Sequence, residues 1–310
     1  MKKLAYLFMA MPALLASCSS EDYITDDAVE INLSAALPQP LQTRAAGTTL
    51  NVDKVECAVF EATSSSNGDT DYTELVALRK TIDIANGQNI VYSPRLVKGR
   101  TYKVVFWAMN GDSYNVSDMT NISPKIAEGV SFTGDPAKYE CFSNCTEFTV
   151  SGSLSQSISL TRPMARINIG VSNEDLQAVT ALGYSPTKVE VSFSVPQSYN
   201  ALGKSCGIAQ SQTMTLPVAT EGTLTIGDAD YKAMASYMVF TDGSNIDITY
   251  KVFGTKNGSE EEIVSNTIQN VPVGVNKNTN VVGDLMTGVV NYTVTMDNAY
   301  AGDLAPTTNE

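Results

Sequence analysis

Two-residue alternation of apolar and polar side chains, broken at short intervals by Gly, Asn, Asp and Pro, is the feature that most limits what this chain can fold into. It runs through Val29/Ile31/Leu33/Ala35, Val55/Cys57/Val59, Val189/Val191/Phe193/Val195 and Ile246/Ile248/Tyr250/Val252. A period of two places alternate side chains on opposite faces of a strand, so each segment reads as half-buried sheet. The unbroken apolar runs Val104–Trp107 and Tyr237–Phe240 suit strands covered on both faces. Asn86-Gly87, Asn110-Gly111, Asp242-Gly243 and Asn257-Gly258 are hairpin-like signals. Together these predict an all-β chain.

One amphipathic helix interrupts the strands. Ser172 can cap it, Glu174 and Asp175 suit its positive end, Leu176, Val179 and Leu182 share a face, and Gly183 ends it. A shorter helix is expected at 117–122. A boundary is expected near residue 160, where a Ser-rich strand meets Thr161-Arg162-Pro163-Met164. The segments on either side are each long enough for a seven-stranded sandwich of about 100 residues.

The 310 residues include 20 basic and 33 acidic side chains, a net charge of −13, and no histidine. Without histidine, the commonest general base, the Ser/His/Asp and Cys/His nucleophile systems and His-containing zinc sites are excluded. The acid excess disfavours nucleic acid. Carboxylate chemistry alone remains open, but Asp69/Asp71, Asp228/Asp230 and Glu260–Glu262 read as solvated turns, and neither Asp228/Asp230 nor Asp242/Asn245 reaches the ligand number of a calcium loop. No enzyme, cofactor or metal is expected.

The N-terminus reads as an export signal over residues 1–17. Lys2 and Lys3 precede an apolar run, Leu4 to Leu15, that is too short to span a bilayer. Leu15-Ala16-Ser17-Cys18 resembles the bacterial lipobox, which makes Cys18 the lipidation site, and the acidic Glu21-Asp22 behind it resembles a surface-export signal of Bacteroidetes lipoproteins. Of the other cysteines, Cys57 reads as a buried strand residue, and Cys141 and Cys145 are spaced to close a small disulfide loop in an oxidising compartment. Trp107 is expected inside. Tyr114, Tyr139 and Phe142 lie in a turn-rich stretch and fit either a sugar-binding surface or the plug of a sandwich end.

After the first alternating segment come Pro38, Pro40 and then Gln42-Thr43-Arg44-Ala45-Ala46, a lone arginine in an open loop that a protease can enter. Cutting there detaches the lipid together with Val29, Ile31, Leu33 and Ala35. Near the other end, Val290, Tyr292, Val294 and Met296 form a second alternating segment, which is either a donor strand for another subunit or the last edge strand of the second sandwich. Residues 297–310 read as a flexible tail.

Five stretches carry a family resemblance: the lipobox at Cys18, Thr43-Arg44-Ala45-Ala46, Tyr102–Ala108, Leu160–Asn168 and Asn278–Thr287. In these the chain resembles the fimbrillins of Bacteroidetes, the FimA/Mfa-like pilins of type V pili. The resemblance implies two tandem transthyretin-like, Greek-key β-sandwiches: a lipidated leader over 18–44, one sandwich over 45–160 and one over 161–296. It also implies a precursor carried by the lipoprotein export machinery, held at the outer membrane by its lipid, and trimmed by an arginine-specific protease between Arg44 and Ala45. Subunits of the cell-surface fimbrium then join as a homo- or hetero-polymer, each donating a C-terminal strand to a neighbour's vacated groove. A surface lipoprotein that binds glycans or host matrix without polymerising is the alternative reading.

Overall fold

The computed structural model describes residues 27–38, 52–64, 69–84, 89–128, 132–218, 222–287 and 291–297. They form two β-sandwiches in sequence. The first contains β1 (Ala28–Ala36), β2 (Lys54–Ser64), β3 (Thr70–Glu74), β4 (Lys80–Asp83), β5 (Ile90–Tyr92), β6 (Arg95–Val97), β7 (Thr101–Met109), the short ribbon β8 (Tyr114–Asn115) and β9 (Ser123–Pro124), β10 (Cys141–Thr149) and β11 (Leu154–Ser159). One layer has the order β11-β1-β5 with β6 also on β1, and the other has β10-β7-β2-β3 with β4 also on β2. Between them lies a core that includes Ile31, Leu33, Cys57, Tyr92, Tyr102, Phe106 and Phe142.

The chain crosses between sandwiches at residues 160–163. The second is built from β12 (Met164–Val171), β13 (Ser185–Pro196), the ribbon β14 (Tyr199–Asn200) and β15 (Ser205–Cys206), β16 (Ala209–Pro217), β17 (Thr223–Ile226), β18 (Ala229–Phe240), β19 (Ile246–Lys256), β20 (Ser259–Val271), β21 (Asn278–Asp284) and β22 (Asn291–Asp297). Its layers run β17-β18-β12-β21-β22 and β16-β13-β19-β20. Asn257 and Gly258, with φ of 52° and 82°, make the two-residue turn joining β19 to β20, as an Asn-Gly pair allows.

The run in β7 is covered on both faces. Val104 and Phe106 point into the first core, while Val105 and Trp107 join a larger cluster continuous with the second sandwich. There Trp107 packs against Tyr114, Tyr199 and Phe240 at centroid distances of 5.3, 5.9 and 6.4 Å. Burial explains why this stretch has no alternation: neither face of the strand meets water.

Two helices are present among the described residues, α1 (Pro136–Tyr139) and α2 (Asn173–Ala181). Ser172 caps α2 by accepting from the Asp175 N–H at 3.1 Å, and Gly183 follows it at φ 88°. Leu182 departs from the expected apolar face: it is the C-cap and 62% exposed. The shorter helix lies at α1 and not at 117–122. In the latter stretch Asp118 takes the Thr120 N–H at 2.8 Å in a local turn, and Ile122 donates its N–H to the Tyr199 carbonyl at 2.9 Å, so these groups are not free to build a helix. At α1, Asp135 caps and Pro136 supplies the preset φ of a first helical residue.

Candidate functional site

β1 is the hub of its layer. On one side it pairs in parallel with β11, from Ile31↔Leu154 to Ala36↔Ser159. On the other it pairs antiparallel with β5 through Leu33–Ala35 and with β6 through Ala28–Glu30, and Ile31 bridges the gap by donating to the Pro94 carbonyl at 3.0 Å. Among the described residues, β5, β6 and β11 have no ladder partner but β1. Ile31, Leu33 and Ala35 are fully buried, whereas Val29 is half-buried. On the outward face, Arg95 donates to the Ala28 carbonyl at 3.0 Å and Ser93 to Asn32 at 2.7 Å.

β22 occupies the opposite kind of position. It is the edge strand of its layer, paired only with β21, from Asp284↔Asn291 to Asn278↔Asp297. Tyr292, Val294 and Met296 share its inward face. Val294 touches the second core, but Tyr292 and Met296 are 39% and 38% exposed. The edge reading of this segment is therefore what the folded chain adopts. Gly283 (φ 149°) makes the docking possible, because a Cβ there would lie 2.1 Å from the Asn291 carbonyl oxygen. From β21, the Asn280 amide reaches Asp297 at 3.0 Å and Thr295 at 3.4 Å.

The segment just after β21 is held by a residue whose role the sequence did not reveal. Asp175 is 3% exposed and accepts from the backbone N–H groups of Met286 and Thr287 at 2.6 and 3.1 Å, while the Tyr250 hydroxyl donates to the Leu285 carbonyl at 2.9 Å. At the sequence level Asp175 was a carboxylate at a helix N-terminus. Its spatial partners lie more than a hundred residues away, so no local pattern announces them. Arg162 and Glu140 form a buried charged pair, with Nε to carboxylate at 2.9 Å and the guanidinium 4.5 Å from the Phe142 ring centroid.

The Cys141–Cys145 disulfide is overturned. Both thiols are free, and both residues lie on β10, opposite Met109 and Val105 of β7. Four residues of extended chain span about 13 Å, well beyond the ~7 Å Cα limit for a bridge. Burial pushes the thiols of Cys57, Cys141 and Cys145 up, and that of Cys206 up to about 11, so all four are protonated and unreactive near neutrality.

The aromatic binding surface is also absent from where the sequence allowed it. Trp107, Tyr114, Tyr139 and Phe142 are each at most 2% exposed, and the Tyr114 hydroxyl donates to the Tyr139 carbonyl at 2.6 Å. Phe142 lies in the core between the layers of the first sandwich, and Trp107, Tyr114 and Tyr139 fill the cluster on the other side of β7 that continues into the second sandwich. The acidic pairs at Asp69/Asp71 and Asp228/Asp230 and the run Glu260–Glu262 are exposed, and among the described residues no three His, Cys, Asp or Glu side chains gather as metal ligands. No helix among the described residues is long and apolar enough to cross a membrane. Cys18, Arg44, Ala45 and Val290, with the tail beyond Asp297, lie outside the described residues.

The described residues thus form a double-sandwich protein with a hub strand, β1, in the first sandwich and a partly exposed apolar edge strand, β22, in the second. The chain belongs to the family of unknown function DUF6562, whose model matches residues 24–310. No curated protein matches it. Among solved structures it is similar to a candidate polysaccharide-binding protein (DUF1812) from Bacteroides thetaiotaomicron at 12% identity, covering 87% of this chain and 96% of that one, with a TM-score of 0.48. It is similar to a candidate cell adhesion protein from Bacteroides eggerthii at 11% identity, 87% and 95% coverage and a TM-score of 0.49. A candidate adhesin from Bacteroides ovatus matches at 14% identity, 77% of each chain and a TM-score of 0.42.

Proposed function

We propose that this protein is a fimbrillin-like structural subunit of a surface pilus, exported as a lipoprotein precursor, trimmed after Arg44 and assembled by donor-strand exchange in support of adhesion or colonisation. The observation that carries the reading is the placement of β1. Among the described residues it is the sole ladder partner of three strands, and it ends eight residues before Arg44, so its loss opens a groove with unpaired backbone on both sides and apolar pockets beneath. An incoming extended strand supplies both the missing hydrogen bonds and the side chains. β22 is the favoured donor, because its inward row matches the pattern of β1 and it has a single ladder, to β21, to give up.

Of the six arginines in the chain, the five among the described residues have partners for their side chains: Arg79 with Glu74, Arg95 with the Ala28 carbonyl, Arg100 with Glu61, Arg162 with Glu140 and Arg166 with Ser236. Arg44 sits in a stretch of small and polar residues behind two prolines. The trimmed chain would carry 17 basic and 28 acidic side chains, so like charge opposes casual association and leaves strand insertion as the joining force.

Treating purified precursor with an arginine-specific protease and running it on a gel without boiling tests the reading. A ladder of multimers is the expected result. Cut chain that stays monomeric, or surface material with Arg44 intact, contradicts it.

A further inference from the structure

We propose that cutting after Arg44 does not empty the groove: the first strand stays seated as a noncovalent ligand of its own chain and leaves only when an incoming strand displaces it. The proposal rests on the pilin reading above and assigns it a control step. Hydrolysis of the Arg44–Ala45 bond consumes one water, breaks one C–N bond, and leaves a carboxylate on Arg44 and an amine on Ala45. It touches none of the contacts that hold β1.

Those contacts are extensive. β1 has ladder hydrogen bonds along both sides, with six residue pairs to β11 and six to β5 and β6 together. Backbone bonds from Lys98 to the Asp27 carbonyl (3.2 Å) and from Leu160 to the Ala36 carbonyl (2.9 Å) hold its two ends. Three side chains, Ile31, Leu33 and Ala35, are fully buried in the first core. Arg95 lies opposite Glu30 in register and donates to the Ala28 carbonyl at 3.0 Å, a further tie at the start of the strand.

Spontaneous departure would strip β5, β6 and β11 of their ladder partner at once and expose the pockets to water, an intermediate that no single bond cleavage makes favourable. Replacement residue by residue avoids it. A strand entering at one end takes over hydrogen bonds as β1 surrenders them, so the groove is never bare. Because the lipidated cysteine belongs to the excised piece, anchoring then outlasts proteolysis and ends with strand exchange. Release from the membrane is thereby tied to joining the polymer.

The experiment is gel filtration of the full precursor, before and after arginine-specific cutting at low concentration, with denaturing mass spectrometry of each fraction. The fragment ending at Arg44 is expected to co-elute with the folded 45–310 chain and to shift to the small-peptide volume on adding a synthetic peptide of residues 290–297. Fragment appearing in the small-peptide volume directly after cutting, with the remainder still folded by circular dichroism, overturns the proposal. A chain with residues 42–47 replaced by another protease's recognition sequence reads the same outcomes whether or not Arg44 itself is a substrate. Immediate fragment loss with multimers still forming refutes retention and leaves the pilin reading standing. A retained fragment with no multimers at any concentration refutes the pilin reading alone.

Discussion

The first and last described strands carry nearly the same alternating pattern, yet the fold uses them in opposite ways. β1 sits at the centre of a layer, with fully buried Ile31, Leu33 and Ala35, while β22 hangs on an edge with Tyr292 and Met296 more than a third exposed. What sets a strand's energetic worth is its neighbours on both sides and not its own sequence. The proposed strand exchange draws on this asymmetry: removing a hub leaves a groove with unpaired backbone on both sides, and an edge strand has one ladder to give up.

The comparison is broken most directly by paired truncations. Leu33→Ala should cost about 3 kcal/mol in urea unfolding of the precursor, and Val294→Ala about 1 kcal/mol. Equal losses would mean the two strands are equivalent. Next in size is Asp175→Ala, which leaves the Met286 and Thr287 N–H groups without their acceptor and should cost about 2 kcal/mol, with faster amide exchange in β22 and unchanged exchange in β1. Gly283→Ala sharpens the contrast further. The clash with Asn291 should push β22 off its edge, costing more than the roughly 1 kcal/mol scale of strain-free glycine replacements, while the first sandwich is untouched.

Smaller effects follow from the thiols. Cys57 lies in the same core as Ile31 and Leu33, so alkylation at pH 8 should be slow in the precursor and should accelerate once β1 is displaced, whereas the Cys141 rate stays fixed. With no histidine, stability should be nearly flat from pH 5 to 8. The Cys206 thiol is pushed up to about 11 by burial, so above about pH 9 the unfolded chain sheds its proton first and stability falls as pH rises. The urea midpoint as a function of pH checks the sign, and Cys206→Ser should weaken the decline.

Much of the fold was legible because it follows from local pattern. The alternation of β1, β13 and β19, the two-sided run of β7, the Ser172 cap and the Asn257-Gly258 turn each express a physical rule that acts within a few residues. Pairing does not. That β1 finds β11 over a hundred residues downstream, in parallel, has no signature in either segment, so the hub role could be read only from the folded chain. The spacing of Cys141 and Cys145 looks alike in a loop and in a strand, and it was the extended backbone that separated them. Tyr114 and Tyr139 were ambiguous for a similar reason: the outer face of Trp107 needs cover, and the turn-rich stretch folds back to supply it.

The central claim is that the groove vacated by β1 receives β22 of another copy. Two otherwise normal chains, one with Ser157→Cys on β11 and one with Thr293→Cys on β22, both on the outward faces of their strands, can be mixed after cutting only the first. Neighbouring strands lie about 5 Å apart, within reach of a disulfide. The account predicts an intermolecular disulfide between the two variants that forms only when the Ser157→Cys chain has been cut, with Ser155→Cys covering a shift in register. Cross-linking that is independent of cutting, or none in cut material that has formed multimers, would contradict it.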